Sequence, residues 1–400
     1  MNLTRNSTTY NLLVAMLLSG GEITSDFTRL SSLTGVSERM LRWSADKLLS
    51  YHYIEEKKRG GEGRFRLKLF EKNKMQYLPH LWDDAENYTP CLYAVNAQNA
   101  KRNLNLAEII LLMESAHVSV TPDRVPLPEG GIEEARQNAG IPMFIIGRNV
   151  RASFPVADSR ERMARYNGMF VTDNGVFPVY NHSRGKNEYI TDVEKGSVKT
   201  AEQIRQTYLP YTDNFVTYEY KHSPLAIDSR NKVITEGCLI IADDYTKFLS
   251  FFEPDKSYLY GKVKERKKLG MAALAYSYNS IIALPMISIV TASFINMFAA
   301  EMWHKRLTGL VLNDSQRIPD IARTTIDIDG IIDNEKVICF IDCDIRRLRN
   351  VIANANPDST YRVICYDFQV PLLKKVLPNN FKIAPYSMDE VYTLYCENCQ

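Results

Sequence analysis

The acidic and basic residues of two segments have the spacing of a metal-dependent nuclease. An apolar run at 238–242 ends beside Asp244, and a second strand-like run leads to Glu265 and Lys267. Restriction-type nucleases place one acidic residue at a strand end and an acidic-x-Lys pair on the next strand, where they hold a divalent metal and activate water. Asp244, Glu265 and Lys267 are therefore candidate catalytic residues with Mg²⁺ as cofactor. Since Glu-x-Lys is common by chance, a solvent-exposed basic strand end is the simpler interpretation.

Two Asp-x-Asp pairs offer the hard oxygen ligands that Mg²⁺ prefers. One of them, Asp342 and Asp344, follows a predicted strand, and α/β proteins bind ligands at the carboxyl ends of strands. The pair is a candidate metal site, although an acidic residue that caps the next helix is the more common arrangement. Cys396 and Cys399 have the spacing of half a zinc site, but the sequence holds no second Cys-x-x-Cys. We therefore expect no cofactor, except Mg²⁺ if the nuclease alternative holds.

Other DNA-processing chemistries lack the residues that they require. The six histidines are His52, His80, His117, His182, His222 and His304. No two of them stand two positions apart, as the metal site of His-hydrophobe-His relaxases needs, and none has arginine three positions on, as tyrosine recombinases need. A Gly-x-x-x-x-Gly-Lys-Ser/Thr phosphate loop is also missing from the sequence. These absences favour a protein without enzymatic activity.

The C-terminal part of the sequence shows the elements that would position these side chains. Strands are predicted at 336–342, 361–366 and 381–384, separated by helices at 346–353 and 371–377. Strands without polar alternation, separated by helices, indicate βαβ units in a sheet that is covered on both faces. Further strands are predicted at 143–146, 168–172 and 176–180, and the turn between the last two contains Asn174-Gly175.

An N-terminal helix-turn-helix is the clearest pattern in the chain. Apolar residues recur at helical spacing in 10–18 and 25–33. Gly35 suits the left-handed residue that ends the second helix, and Ser37 is a good N-cap for a third.

The third helix is predicted to be amphipathic. At 100° per residue, Leu41 and Leu48 fall on the face that packs on the other helices. The opposite face carries Arg39, Arg42, Trp43 and Asp46. A helix of this kind lies in the major groove of DNA with its N-terminal residues near the base edges.

A hairpin of two strands, at 53–57 and 64–70, is predicted after the third helix. Apolar residues of the second strand alternate with Arg64 and Arg66, so we expect one face to pack on the helices and the other to present cations to phosphates. Residues 1–80 contain 13 Lys/Arg and eight Asp/Glu, while the net charge of the whole chain is only +2. The candidate DNA-binding residues are Ser37, Arg39, Arg42, Trp43, Lys57, Lys58, Arg59, Arg64 and Arg66. The alternative is a winged helix that binds another protein.

Three segments resemble the replication-relaxation-like winged-helix proteins of Gram-positive plasmids and integrative conjugative elements. They are the sequence Leu-Thr-Gly-Val-Ser-Glu-Arg at 33–39, the arginine-led hairpin at 165–181, and Arg-Val-Ile-Cys-Tyr-Asp-Phe-Gln at 362–369. The resemblance implies a sequence-specific double-stranded DNA-binding protein of a mobile genetic element, which acts in replication, transfer or their control. It also implies other replication or transfer proteins as partners. Beside the nuclease, a ligand-sensing transcription regulator is the remaining alternative.

Composition and domain organisation agree with this interpretation. We predict an α/β protein (α+β overall) with a winged helix-turn-helix at 1–78, a helical connector at 79–130, and a mixed α/β domain with C-terminal βαβ units at 131–400. Cysteines within apolar runs, such as Cys339 and Cys365, suit reduced and buried thiols. These buried thiols and the polar N-terminus predict a cytoplasmic protein. A homodimer is a further prediction for its assembly.

One uncharged stretch, at 269–300, raises the question of a membrane span. Its second half, 281–300, is nearly long enough to cross a bilayer. Ser288, Thr291 and Asn296 interrupt the run, and basic residues flank both of its sides. We therefore predict a buried strand at 280–284, followed by a buried helix that Pro285 opens, and no membrane contact.

Overall fold

The computed structural model describes residues 7–59, 62–68, 97–121, 142–153, 165–172, 175–184, 189, 191–208, 237–252, 271–299, 303–313, 315–317 and 328–398. These residues form a mixed α/β fold with sheets of three, six and four strands. The predicted domain boundaries, at 78 and 130, lie outside the described residues.

The N-terminal unit, residues 7–68, contains three helices and a small antiparallel sheet. Its elements are α1 (Thr8–Ser19), β1 (Glu22–Thr24), α2 (Phe27–Thr34), α3 (Glu38–Ser50), β2 (Ile54–Arg59) and β3 (Glu62–Leu67). The order of the strands is β1-β3-β2. Polar side chains begin each helix: Ser7, Asp26 and Ser37 each accept a hydrogen bond from a first-turn backbone N–H. Strand β1, with only three residues, was not predicted from the sequence.

A long helix, α4 (Ala97–Ser115), connects the N-terminal unit with the rest of the fold. It packs against α1, α2 and β1 on one side and against the large sheet on the other. Its buried residues include Leu104, Ile109 and Met113, and the helix lies within the helical connector predicted at 79–130. The N-terminal unit and the large sheet therefore share one continuous hydrophobic core through α4.

The large sheet contains six strands in sequential order. They are β4 (Ser119–Thr121), β5 (Met143–Ile146), β6 (Gly168–Thr172), β7 (Gly175–Asn181), β8 (Gly237–Ala242) and β9 (Ser280–Pro285). Only β6 runs antiparallel to its neighbours, so β7, β8 and β9 end at the same edge of the sheet. The predicted strands at 143–146 and 168–172 are confirmed.

Both faces of the large sheet are buried, as the unbroken apolar runs predict. In β8, Leu239 and Ile241 contact the core shared with the N-terminal unit, while Cys238 and Ile240 contact a second core on the opposite face. The helices of this region are α5 (Gly147–Ser153), α6 (Thr191–Tyr208), α7 (Leu249–Phe252), α8 (Ser288–Ala299) and α9 (Trp303–Val311).

The C-terminal sheet has the order β10-β11-β12-β13. Its elements are β10 (Gly330–Ile332), β11 (Glu335–Cys339), α10 (Ile345–Asn354), β12 (Tyr361–Tyr366), α11 (Val370–Val376), β13 (Phe381–Tyr386) and α12 (Met388–Asn398). Strands β11, β12 and β13 are parallel, which confirms the predicted βαβ units. The strand predicted at 336–342 ends at Cys339, because residues 340–342 form a 3₁₀ turn.

The described part of the uncharged stretch, residues 271–299, contains a buried strand followed by a helix. Strand β9 is buried throughout, as predicted. Pro285 ends this strand instead of opening the helix, which begins at Ser288. Within the part of the chain that the structure describes, no helix has both the length and the apolar character needed to cross a membrane.

Candidate functional site

The turn between α2 and α3 determines which way the third helix faces. Gly35 takes a left-handed conformation with φ of 70° and ends α2, as predicted. Ser37 caps α3 by accepting a hydrogen bond from the backbone N–H of Met40 at 3.5 Å. Leu41 and Leu48 are then buried against the other helices, so the opposite face of α3 points to solvent.

The outward face of α3 carries the side chains predicted for it. Arg39 is exposed, the side chain of Arg42 is 60% exposed, and Trp43 is 56% exposed. The predicted exposure of these three side chains is therefore confirmed. They form a continuous surface, because residues four apart lie one above the other on a helix.

Local contacts orient two of the side chains on this face. The guanidinium carbon of Arg42 lies 4.4 Å from the ring centroid of Phe27. Nη2 of Arg42 also lies 3.5 Å from Oε2 of Glu38. The ammonium of Lys47 lies 4.9 Å from the ring centroid of Trp43. Exposed cation–π and ion-pair contacts each contribute about 1 kcal/mol or less. They therefore orient these side chains but are weak enough for a ligand to replace them.

The hairpin of β2 and β3 contributes further cations. Lys57 and Lys58 are exposed, and Lys57 also lies 3.1 Å from Glu55. Arg59 is the last residue of β2, and Arg66 is half-buried on β3.

The prediction that Arg64 faces phosphates is wrong. Arg64 is buried, and its Nη1 lies 3.2 Å from Oε2 of Glu22, which is also buried. The reason is that β1 pairs with β3, so β3 is the central strand of the sheet and Thr24 is directly opposite Arg64. The alternation of residues in β3 alone could not indicate that β1 pairs with it.

Below the exposed face, α2 contacts the edge of the large sheet where β7, β8 and β9 end. Arg29 of α2 forms a bidentate ion pair with Glu108 of α4. Its Nη1 also lies 3.5 Å from Asp243, which follows β8. The hydroxyl of Ser32 donates to the carbonyl of Met286, which follows β9, at 3.3 Å. These contacts fix the N-terminal unit on the sheet.

Glu108 is the centre of this junction. Its side chain is completely buried, and Arg184 and the amide of Asn181 also bind it, the latter at 3.3 Å. Sequence analysis did not select Glu108 or Arg29. The available signal was an acidic residue in the apolar run of α4, which also contains Glu114, but the partners of Glu108 lie far away along the chain.

We expect Glu108→Gln to destabilise the protein by about 2 kcal/mol, because it removes the charge from hydrogen bonds to two arginines. Urea unfolding measures this change. Asp243→Asn is the matched control. Asp243 is partly exposed, and its ion pairs with Arg29, at 3.5 Å, and with Lys247 lie near the surface, so their loss should cost less than about 1 kcal/mol. Equal costs for the two variants would contradict the role assigned to Glu108.

The candidate nuclease residues are only partly within the described structure. Asp244 is exposed and caps the 3₁₀ turn Tyr245–Phe248, accepting hydrogen bonds at 2.8 Å from the backbone N–H and the hydroxyl of Thr246. These hydrogen bonds lower the pKa of Asp244. Glu265 and Lys267 lie outside the described residues, as does Cys399 of the Cys-x-x-Cys pair.

The structure gives both candidate metal ligands, Asp342 and Asp344, other partners. Asp342 accepts a hydrogen bond from Arg347 at 2.6 Å. Asp344 caps α10 and also accepts from the backbone N–H of Ile281 at 3.2 Å. The capping alternative for Asp344 is therefore confirmed. In the described ranges, no group of three or more His, Cys, Asp or Glu side chains is arranged to hold a metal ion.

These carboxylates join the two larger sheets. The backbone N–H of Ala283 in β9 donates to the carbonyl of Cys343 at 2.9 Å, next to the Asp344 contact with Ile281. Arg347 is buried, and it also binds Asp329 beside β10. The Asp-x-Asp pair thus lies where the C-terminal sheet meets β9. The predicted buried thiols are confirmed for Cys339 and Cys365, which are buried and not in a disulfide bond.

A second buried polar network lies on the opposite face of the large sheet. The hydroxyl of Tyr180 lies 2.5 Å from Glu194 and 2.7 Å from the hydroxyl of Tyr278. Burial raises the pKa of Glu194 to about 7. Nearby, the buried His182 contacts Tyr189, and burial lowers the pKa of His182 to about 3. As pH rises, Glu194 therefore lowers the stability of the fold, whereas His182 raises it.

We expect Glu194→Gln to make stability rise more steeply with pH than in the wild type. Between the ordinary pKa of 4.5 and about 7, the unfolded chain releases the Glu194 proton and the folded chain keeps it. Rising pH therefore removes stability through Glu194, and the amide abolishes this loss. The variant should gain about 2 kcal/mol relative to the wild type between pH 5 and pH 6.5, measured by urea unfolding. Parallel pH profiles would show that Glu194 is ionised in the folded state.

Comparison of the chain with protein-family models, curated proteins and solved structures found no match. The resemblance of the three sequence segments therefore stays a prediction, and the functional argument rests on the geometry of the N-terminal unit.

Proposed function

We propose that residues 7–68 are a winged helix that binds duplex DNA, with α3 in the major groove and the β2–β3 hairpin on the phosphate backbone. The observation that carries the proposal is the two-sided character of α3. Leu41 and Leu48 are buried, while Arg39, Arg42 and Trp43 are exposed on the opposite face. A helix anchored in this way has a polar and cationic surface available to a ligand.

The order of the elements supports the proposal. A helix, a short strand, two helices joined through a left-handed glycine, and a hairpin follow one another in the N-terminal unit. In winged helices of this order, the third helix reads bases and the hairpin contacts phosphates. The exposed residues Lys57 and Lys58 on the hairpin suit that second task.

The wider role is that of a sequence-specific double-stranded DNA-binding protein of a mobile genetic element, a plasmid or a conjugative element. We propose that it acts in replication, transfer or their control, in the cytoplasm, without a catalytic activity of its own. The support for this role is the resemblance of the segments at 33–39, 165–181 and 362–369. Other replication or transfer proteins, and a second copy of the chain, are the proposed partners.

Selection from a random duplex library tests the proposal. The full chain is incubated with the library, bound duplexes are amplified over several rounds, and binding of the enriched pool is measured by mobility shift. The proposal expects a shared sequence to be enriched. Failure of the full chain to retain any duplex at low salt would contradict it.

We expect Lys57→Ala/Lys58→Ala to weaken binding to all duplexes similarly and to make it less dependent on salt. Each phosphate contact contributes about 0.9 to the slope of log K against log salt, so the double variant should lose about 1.8. Fluorescence anisotropy over a salt series measures the slope. Lys374→Ala/Lys375→Ala is the control, since these adjacent lysines are exposed on α11. A slope that falls equally in both variants would exclude a specific role of the hairpin.

A further inference from the structure

The outward face of α3 contains two large apolar side chains among its charges. Met40 is 47% exposed and Trp43 is 56% exposed. They stand three positions apart, so they are neighbours on the helix surface. Exposure of so much apolar surface beside arginines suggests a ligand with both apolar and anionic groups.

The charges around this apolar pair identify that ligand as a nucleic acid. Arg39 precedes Trp43 by one helical turn, Lys47 lies 4.9 Å from the indole ring centroid, and Arg42 is the adjacent residue. Arg42 also lies 3.5 Å from Glu38, and Asp46 is exposed on the same face, but Arg39, Arg42 and Lys47 outnumber these two carboxylates. An apolar protein surface would not match this excess of positive charge. The major groove offers phosphates for the cations and one apolar group on its floor, the 5-methyl group of thymine.

We propose that Met40 and Trp43 read thymine by contact with its 5-methyl group. The inference rests on the proposed DNA binding of α3 and adds the base that its apolar residues select. Arg39 and Trp43 are separated along the helix axis by about 6 Å, four residues at about 1.5 Å each. Successive base pairs are about 3.4 Å apart, so the thymine lies one or two base pairs from the base that Arg39 contacts.

Replacement of thymine by deoxyuridine tests the inference, because it removes the methyl group and leaves the base pairing unchanged. The enriched duplex is synthesised with thymine or with deoxyuridine, and the full-length wild type and Trp43→Ala are titrated with both forms. The wild type should bind the deoxyuridine duplex about threefold to fivefold more weakly for each methyl contacted, as expected for one buried methyl group. Trp43→Ala should lose most of this difference, because only Met40 remains to contact the methyl group.

Tyr51→Ala is the matched control, since Tyr51 is similarly exposed but lies just beyond the end of α3. It should keep the preference for thymine, and Trp43→Phe should keep part of it. Equal binding of both duplexes by the wild type would overturn the inference while leaving DNA binding intact. Loss of self-association in Trp43→Ala, with an unchanged thymine preference, would overturn it in favour of contact with a second copy. If neither duplex is bound, the proposed function itself fails.

Discussion

Arg39→Ala/Arg42→Ala should reduce affinity for the selected duplex by about 30-fold or more and relax the sequence preference. Each arginine that forms two hydrogen bonds with guanine contributes about 1–3 kcal/mol of discrimination, so two lost contacts amount to at least about 2 kcal/mol. Both side chains are exposed, and the packed face of α3 is unchanged in the variant. Fluorescence anisotropy with the selected duplex and with single-base variants measures both effects.

The matched control for this variant is Arg151→Ala. Arg151 is exposed on α5 and lies over the ring of Tyr166, at 5.3 Å, much as Arg42 lies over Phe27. It should bind the duplex like the wild type. If the α3 double variant kept the affinity and the sequence preference of the wild type, α3 would not be the helix that reads DNA. A uniform loss without relaxed specificity would assign the arginines to phosphates.

Arg347→Met should destabilise the protein by about 3–5 kcal/mol, because it leaves the buried carboxylates of Asp329 and Asp342 without their cation. The guanidinium of Arg347 is almost completely buried and binds both carboxylates. It also donates to the carbonyl of Cys339 at 3.4 Å. Methionine fills much of the same volume, so the cost comes mainly from the unpaired charges. Urea unfolding at pH 7 measures the change.

The neighbouring Arg346 provides the control for this measurement. Arg346 is only partly buried, and its Nη1 binds Asn279 at an exposed position at 2.9 Å. Arg346→Met should therefore cost less than about 1 kcal/mol. If both variants had the same small cost, the buried ion pairs of Arg347 would add little to the junction of the sheets.

Much of the fold was predictable because it depends on short-range patterns. The strand at 361–366 and the helix that follows Ser37 match their predicted positions, since their apolar spacing and their end signals lie within a few residues. The exposure of Arg39, Arg42 and Trp43 followed from helical periodicity alone. The part of the candidate site that lies on α3 was therefore accessible from the sequence.

The contacts missed from the sequence are long-range contacts between polar residues. Arg64 faces Glu22 because β1 pairs with β3, and three residues are too short a strand to recognise by alternation. Glu108 binds Arg29, which is 79 positions away along the chain, and Arg184. Residue type and local spacing do not tell whether a charged side chain meets solvent or a buried partner from a distant element.

The arrangement of α2 determines which contacts a ligand of α3 would meet. Arg29 and Ser32 face the large sheet, while α3 presents its arginines on the surface of the same N-terminal unit. The turn between the two helices thus joins α2, which packs on the large sheet, to α3, whose outward face is open to solvent. A ligand of α3 can bind without breaking the contacts of Glu108.

The most direct test of DNA binding by α3 is protection of guanine N7 from dimethyl sulfate in the selected duplex. Guanine N7 lies in the major groove, where the account places Arg39 and Arg42. We predict that the wild-type chain protects guanines within the site and that Arg39→Ala restores the reactivity of one of them. A bound duplex in which every guanine N7 stays fully reactive would contradict the account.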